Sequence, residues 1–288
     1  MSKIVVFGSV NVDYVAQVER LPGPGETIKT DHYEALPGGK GANQALAAAR
    51  NMGRTSMVGA IGSDGLEAVS LRQLIADGVD VSGVKSCDGA SGLAMIAVDA
   101  KGENQIVVVS GANASADASD LPVLTSSDAL VTQNEISWPQ TALAHALAKQ
   151  AGATVIHNAA PAHAMNAAEL ANIDILIVNE HELSLAAQAV VEATDGQKAE
   201  SLLVLGVGAV VLTLGAEGAR LYGASADPVA VDAVPTTVVD TTGAGDAFVG
   251  ALAAAVASGE ELAAGLAKAN AYAARVCGVM GAQTSLEG

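Results

Sequence analysis

Aromatic residues are nearly missing from this chain of 288 residues: one Trp, four Tyr and two Phe, 2% in all. Half of the residues are nonetheless apolar and the mean hydropathy is +0.37, so the core has to be filled by Ala, Val, Leu and Ile. About a fifth of the chain is alanine, which favours helices that pack closely. Positive charge is also scarce. Lys and Arg number 14 against 31 Asp and Glu, a formal net charge of −17. That argues against a nucleic-acid footprint and against an anionic membrane surface. It leaves an anionic substrate open, because backbone amides can hold phosphate locally. The two cysteines, Cys87 and Cys277, stand among apolar or small residues and predict buried thiols, not a disulfide framework or a zinc site. Long apolar runs are absent: the nearest, Ser201 to Gly215, is broken by Gly206 and Gly208. The first residues do not form a signal peptide, since their apolar run is short and ends in Asn11 and Asp13. The expectation is a soluble cytoplasmic chain with no nucleic-acid or membrane partner.

What is present is a strand–helix rhythm. Ile4–Phe7 reads as a buried first strand, Thr55–Ile61 as another, and strands are expected at 129–132, 154–157, 173–178 and 209–214, with short segments at 220–222 and 229–231. Helices are expected to about Asn51, over 65–77, 138–151 and 180–192, from about Gly245 to Ser258, and from about Glu260 to Cys277. Such alternation predicts an α/β fold: a doubly wound, mostly parallel sheet with helices on both faces. Residues 12–19, 27–36, 91–98 and 105–109 break the rhythm and predict a small β-sheet projecting from the main layer. No linker divides the chain, so residues 1–288 read as one domain. Residues 112–120 read as an ordinary loop, and His145, His163 and His181 as isolated structural side chains on helix or loop surfaces. Trp138-Pro139 should open its helix as a packing anchor.

Three clusters could carry chemistry. Asp240-Thr-Thr-Gly-Ala-Gly-Asp246 runs straight into a helix, where free amides and the helix dipole make an anion site. Asp246 would stand beside that site as a base for a substrate hydroxyl, although an N-cap after a Gly-rich turn suits the same residues. The segment lacks the Gly-Lys-Ser/Thr ending of a Walker A loop and the third Gly of a dinucleotide fingerprint, and no GxSxG elbow supports serine hydrolysis. Gly38-Gly-Lys-Gly-Ala-Asn43 precedes a second helix, with Lys40 and Asn43 as donors to hydroxyls. Gly8-Ser-Val-Asn-Val-Asp13 follows the first strand, where ligands of α/β sheets gather, and Asp13 could accept from two neighbouring hydroxyls.

Together these segments resemble the ribokinase (PfkB-type) sugar-kinase family, and the resemblance covers essentially the whole chain. Pro24-Gly-Glu-Thr27, Asn179-Glu-His-Glu182, Thr213-Leu-Gly215 and Gly281-Ala-Gln-Thr-Ser285 follow in the expected order, and Gly38 to Gln44 has the form of the ribokinase branch. The resemblance implies phosphorylation of D-ribose by ATP to ribose 5-phosphate, with kinases of deoxyribose, other sugars or nucleosides as alternatives and a non-catalytic sugar or nucleotide sensor as a rival of another class. It implies Asp246 as catalytic base and Gly243, Ala244 and Gly245 as anion hole. Asn11, Val12, Asp13, Gly39, Lys40, Gly41, Ala42, Asn43 and Glu135, with Asp246, match sugar-binding positions. Asn179, Thr213, Leu214, Gly215, Ala216, Glu217, Gly218 and Asn270, with Gly245 and Asp246, match nucleotide contacts. Glu182 matches a residue acting through the Mg²⁺–phosphate network. Asp240, Thr242, Val276, Val279, Gly281 and Ser285 match a K⁺ site. A β-sheet lid, with strands within 12–36 and 91–109, and a homodimer paired through it are also implied.

The sequence departs from the family pattern at four places. Thr284 stands where Pro is usual, His157-Asn-Ala-Ala-Pro161 replaces Asn-Pro-Ala-Pro, and Asn134 replaces an aliphatic residue before Glu135. The chain also stops soon after Ser285 without the final helix many relatives carry, which is expected to loosen the cation site or the adenine side.

Overall fold

In the computed structural model, which describes residues 2–188, 192–223 and 227–284, the first strand is buried on both faces. Its alternate residues enter different cores: Ile4 and Val6 pack in one cluster, Val5 and Phe7 in another. The strands in chain order are β1 (Ile4–Phe7), β2 (Asn11–Gln17), β3 (Tyr33–Gly38), β4 (Thr55–Gly62), β5 (Asp80–Cys87), β6 (Gly92–Val98) and β7 (Asn104–Val109). They continue as β8 (Ala129–Gln133), β9 (Thr154–Asn158), β10 (Ile175–Asn179), β11 (Ala209–Thr213), β12 (Ala219–Tyr222) and β13 (Val229–Val231). The helices are α1 (Lys40–Met52), α2 (Glu67–Ser70), α3 (Arg72–Ala76), α4 (Trp138–Ala151), α5 (Ala167–Leu170), α6 (Glu180–Ala186), α7 (Asp195–Val204), α8 (Ala244–Ala257) and α9 (Leu262–Cys277).

The large sheet runs β13-β12-β11-β10-β9-β8-β1-β4-β5, parallel from β5 to β11 and antiparallel at β12 and β13. Helices cover both faces. Residues of α1, α8 and α9 pack on Ile4, Val6, Ile177 and Val211, whereas α4 packs on the Val5 side and α6 and α7 on Leu176, Val178 and Leu212. The alanine richness has its use here. α1 and α8 approach so closely that a methyl at Gly250 would lie 2.5 Å from Ala47 Cβ and from the Gln44 carbonyl oxygen. That contact sets the start of α1 beside the start of α8.

The smaller sheet runs β3-β2-β6-β7, antiparallel except for the parallel β2–β6 pair. Its strands are those that broke the strand–helix rhythm, with β3 beginning later and extending to Gly38.

Several expectations are corrected. The helix over 65–77 is broken at Leu71 into α2 and α3, and α6 ends at Ala186, well short of 192. Strand β5 and helices α5 and α7 had no clear sequence signal: β5 is a polar edge strand, and α5 and α7 are short helices started by capping boxes at Asn166 and Thr194. Residues 112–120 are not a plain loop but two tight turns, with Asn113 buried. His145 is buried, not on a surface, and His163 packs edge-on against Trp138. Cys87 and Cys277 are half-buried. Trp138 and Pro139 open α4, as expected. Among the described residues, no helix is long and apolar enough to cross a membrane.

Candidate active site

The beginning of α8 needs glycine. Gly243 caps the helix in a left-handed conformation (φ 76°), and a Cβ there would sit 2.5 Å from that of Ala282. No side chain caps this end, so first-turn amides are left for a ligand. The Ala244 amide is partly spent, donating to the Thr241 carbonyl at 3.2 Å. Gly245 faces open space, with nothing beyond its own neighbours and turn of helix within 4 Å of where its Cβ would be.

Asp246, in the first turn of α8, is buried and gripped from α1. Asn43 Nδ2 donates to its Oδ2 at 3.0 Å and Gln44 Nε2 to its Oδ1 at 2.9 Å. Gln44 also donates to Asn158 Oδ1 (3.1 Å) and accepts from Gln133 Nε2 (2.7 Å), while Gln283 Nε2 donates to Asn43 Oδ1 (2.8 Å). Both oxygens of Asp246 accept, the arrangement that suits a carboxylate. The N-cap reading of this residue is not what the structure shows: the cap is Gly243 and Asp246 bonds across to another helix.

The turn from β1 to β2 lies against the start of α1. Ser9 donates its hydroxyl to Glu135 Oε2 and accepts from the Gly41 amide (3.2 Å), and the Lys40 amide donates to the same Glu135 oxygen at 3.1 Å. Close backbone approach explains the glycines: a Cβ on Gly41 would be 2.5 Å from Ser9 N. Gly39 (φ 91°) and buried Ala42 hold the same crossing, Ala42 N donating to Ser9 O at 2.9 Å. Val12 is fully buried and positions its neighbours, Asn11 and Asp13. Asn113 Nδ2 donates to Asn11 Oδ1 at 2.7 Å while its Oδ1 accepts from Val10 N at 2.9 Å. A cavity of about 180 Å³ opens here, lined by Asn11, Val108, Ser110, Asn113, Asn134, Glu135 and Pro161.

The electrostatics join these groups. Burial, then the charges of Glu135 and Asp246, push the Asp13 carboxyl up from 3.8 to about 7, and its Oδ1 is buried without a hydrogen-bond partner. The Asp246 carboxylate chiefly raises the Lys40 ammonium against its burial, helped by Glu135 and Glu182. Asp13, Glu135, Asp246 and Glu182 therefore act electrostatically on one another or on the Lys40 ammonium.

Of the residues matched to nucleotide and cation, Asn179 and Thr213 end the paired strands β10 and β11, Asn270 lies within α9, and Asp240 and Gly281 lie outside helices and strands. Asn179 and Glu182 cap α6 reciprocally, each accepting from the other's amide at 2.8 Å, and burial raises the Glu182 carboxyl. Thr213 ends β11, leading through Leu214 to the Gly215–Glu217 turn and Gly218; Ala216 lies within that turn. Asn270 is buried on α9 and donates to the carbonyls of Val231 and Asp232, both at 3.1 Å. Asp240 accepts from the Thr242 amide (2.9 Å) and hydroxyl (2.7 Å), and from the Gly281 amide (2.8 Å). Burial would raise Asp240, but these bonds hold it below the usual range. The Val276 carbonyl accepts from Val279 N at 3.1 Å. Ser285 lies outside the described residues.

Residues that sequence reasoning left out are Ser9, Gln44, Asn113, Gln133, Asn158 and Gln283. Ser9, Gln44, Asn158 and Gln283 sat inside the quoted segments. Asn113 and Gln133 meet the site only through tertiary contacts.

The family model for pfkB family carbohydrate kinases matches residues 1–288. Among curated proteins, the ribokinase of Schizosaccharomyces pombe is 36% identical over 279 residues, covering 91% of this chain and 87% of its own. The ribokinase of Staphylococcus aureus is 35% identical over 258 residues, covering 87% and 84%. A solved ribokinase from Thermotoga maritima matches with a TM-score of 0.89 at 32% identity, covering 98% of this chain and 95% of its own. One from Arabidopsis thaliana, complexed with ribose and ATP, gives 0.87 at 32% identity over 98% and 95%.

Proposed function

This chain belongs to the pfkB family of carbohydrate kinases, and from that premise we propose that it transfers the γ-phosphoryl group of ATP to the primary hydroxyl of D-ribose, giving ribose 5-phosphate and ADP. The observation that carries the mechanism is the setting of Asp246: a carboxylate with both oxygens oriented from α1, at the open N-terminus of α8. The cavity beside Glu135 and Asn11 would receive the sugar, with Asp13 and Lys40 coupled electrostatically to Glu135 and Asp246 and Asn43 bonded to Asp246. Relatives named ribokinases, and one solved with ribose and ATP, support that choice of acceptor.

In this reading the whole chain acts as one kinase domain. The sugar hydroxyl gives its proton to Asp246 as its oxygen attacks the γ-phosphorus. The bond to the β-phosphate oxygen breaks and ADP leaves. Amides of Gly243 and Gly245, with the helix dipole behind them, stabilise charge on the phosphoryl oxygens. Thr213 to Gly218, Asn179 and Asn270 would hold the nucleotide. Mg²⁺ would arrive with ATP and neutralise its phosphates, with Glu182 near enough to Lys40 and Asp246 to influence it.

The Asp240 carboxylate, the Thr242 hydroxyl and carbonyls of the 276–281 turn are hard oxygen donors that suit K⁺. The Gly281–Asp240 bond already joins the two segments, so the cation would brace the loop that leads to Gly243. Dimerisation through the smaller sheet is supported by its edge strand β7, where Ile106, Val107, Val108 and Val109 are all exposed.

The test is Asp246→Asn. A general-base role predicts a loss of about 10²–10⁴ in kcat, with ribose still binding by calorimetry. Turnover at the wild-type rate would contradict the role.

A further inference from the structure

The wall of the sugar cavity contains an amide whose orientation is dictated from the core. Asn134 lines the cavity beside Glu135. Its Nδ2 donates to the Pro161 carbonyl at 2.8 Å, and a carbonyl can only accept, so Oδ1 must face the other way, toward His157 Nε2 at 3.0 Å. His157 Nε2 therefore carries the proton. Its Nδ1 then accepts from the Thr132 hydroxyl at 2.8 Å, and the Thr132 oxygen accepts from His145 Nε2 at 2.8 Å. Every donor in this chain has one direction. His145, Thr132 and His157 are buried, and Trp138 packs edge-on against both imidazoles. Burial keeps both rings neutral, His145 near 4 and His157 well below its usual range, so the direction holds at neutral pH.

This wiring is more than the fold needs. An aliphatic side chain at position 134 and a non-basic one at 157 would leave the buried Thr132 hydroxyl and His145 paired with each other and nothing holding a polar group at the wall. The structure instead uses three buried polar side chains to fix one amide at the cavity. After its bonds to Pro161 and His157, that amide keeps one N–H and one oxygen lone pair.

We propose that Asn134 is a specificity-determining residue for the acceptor: it hydrogen-bonds a sugar hydroxyl other than the one phosphorylated, and His157 is its positioning residue. The proposal rests on the reading of the cavity as the sugar site.

The experiment compares wild type, Asn134→Leu and His157→Phe on ribose and on its singly deoxygenated analogues, measuring kcat and KM separately and checking each variant's thermal melting. Turnover of ribose by wild type tests the functional reading. The variant-to-wild-type ratios, taken on whichever acceptor wild type uses, test this one. Loss of one neutral hydrogen bond predicts that Asn134→Leu raises KM about three- to tenfold with kcat nearly unchanged. The penalty should vanish for the one analogue that lacks the partner hydroxyl, as in a double-mutant cycle. His157→Phe should reproduce a smaller KM effect with the same analogue dependence, which a merely structural defect would not. Equal KM in wild type and Asn134→Leu, or a KM change of the same size for every analogue, overturns the proposal.

Discussion

Asp13, proposed to bind the sugar, is held in its place at a cost in stability. Its carboxyl is raised from 3.8 to about 7 by burial and by the neighbouring carboxylates, and one oxygen has no partner. A carboxyl raised on folding keeps its proton in the native state where the unfolded chain has lost it. Stability should therefore fall as pH rises from about 4 through about 7. Asp13→Asn removes the charge and should melt above wild type at pH 8, with the difference shrinking toward pH 4. The same variant should bind sugar at least tenfold more weakly at pH 8, because an acceptor for two hydroxyls has become half donor. Melting curves that coincide at pH 8 would contradict the account of Asp13. The residue was legible in the sequence as a candidate from its place after the first strand. Its raised pKa was not, because it depends first on burial and then on Glu135 and Asp246, all of them set by other parts of the chain.

The site is made by element ends, chiefly the starts of α1 and α8. Their glycine-rich approaches could be read from the sequence because close approach and positive φ restrict the residue type: Gly39 and Gly243 are both left-handed, and Gly41 sits against backbone. The contact between the helices could not be read. Nothing local says that Gln44 reaches Asp246, or that Gln283 reaches Asn43. The smaller sheet was legible because its strands fall outside strand–helix alternation, whereas β5 was not, its polar edge sequence lacking a clear period. Gly243→Ala tests the importance of the α8 start. The methyl must occupy a left-handed conformation, costing roughly 1–2 kcal/mol, and collides with Ala282. Expected are a lower melting temperature and a kcat reduced at least tenfold, with ribose affinity in calorimetry nearly kept. Unchanged kcat would show that this turn does not shape the phosphoryl site.

For the whole molecule, net charge and surface pattern divide the labour. A charge of −17 gives no general attraction to phosphate, so the hold on the nucleotide is proposed to fall to local amides. The exposed apolar strand β7 is the part of the surface that this charge does not explain. If the lids pair there, Val107→Lys should convert a dimer to a monomer in sedimentation velocity, and a dimer unaffected by it would place the interface elsewhere. The most direct measurement of the central claim is coupled ADP release with ATP and Mg²⁺ on ribose, deoxyribose, fructose and adenosine, each with and without KCl. The account predicts that ribose gives the highest kcat/KM and that K⁺ raises its turnover. Turnover on another acceptor, with ribose inert, would contradict the assignment of ribose as substrate, and the absence of ADP release on all four would contradict the kinase reading for these acceptors.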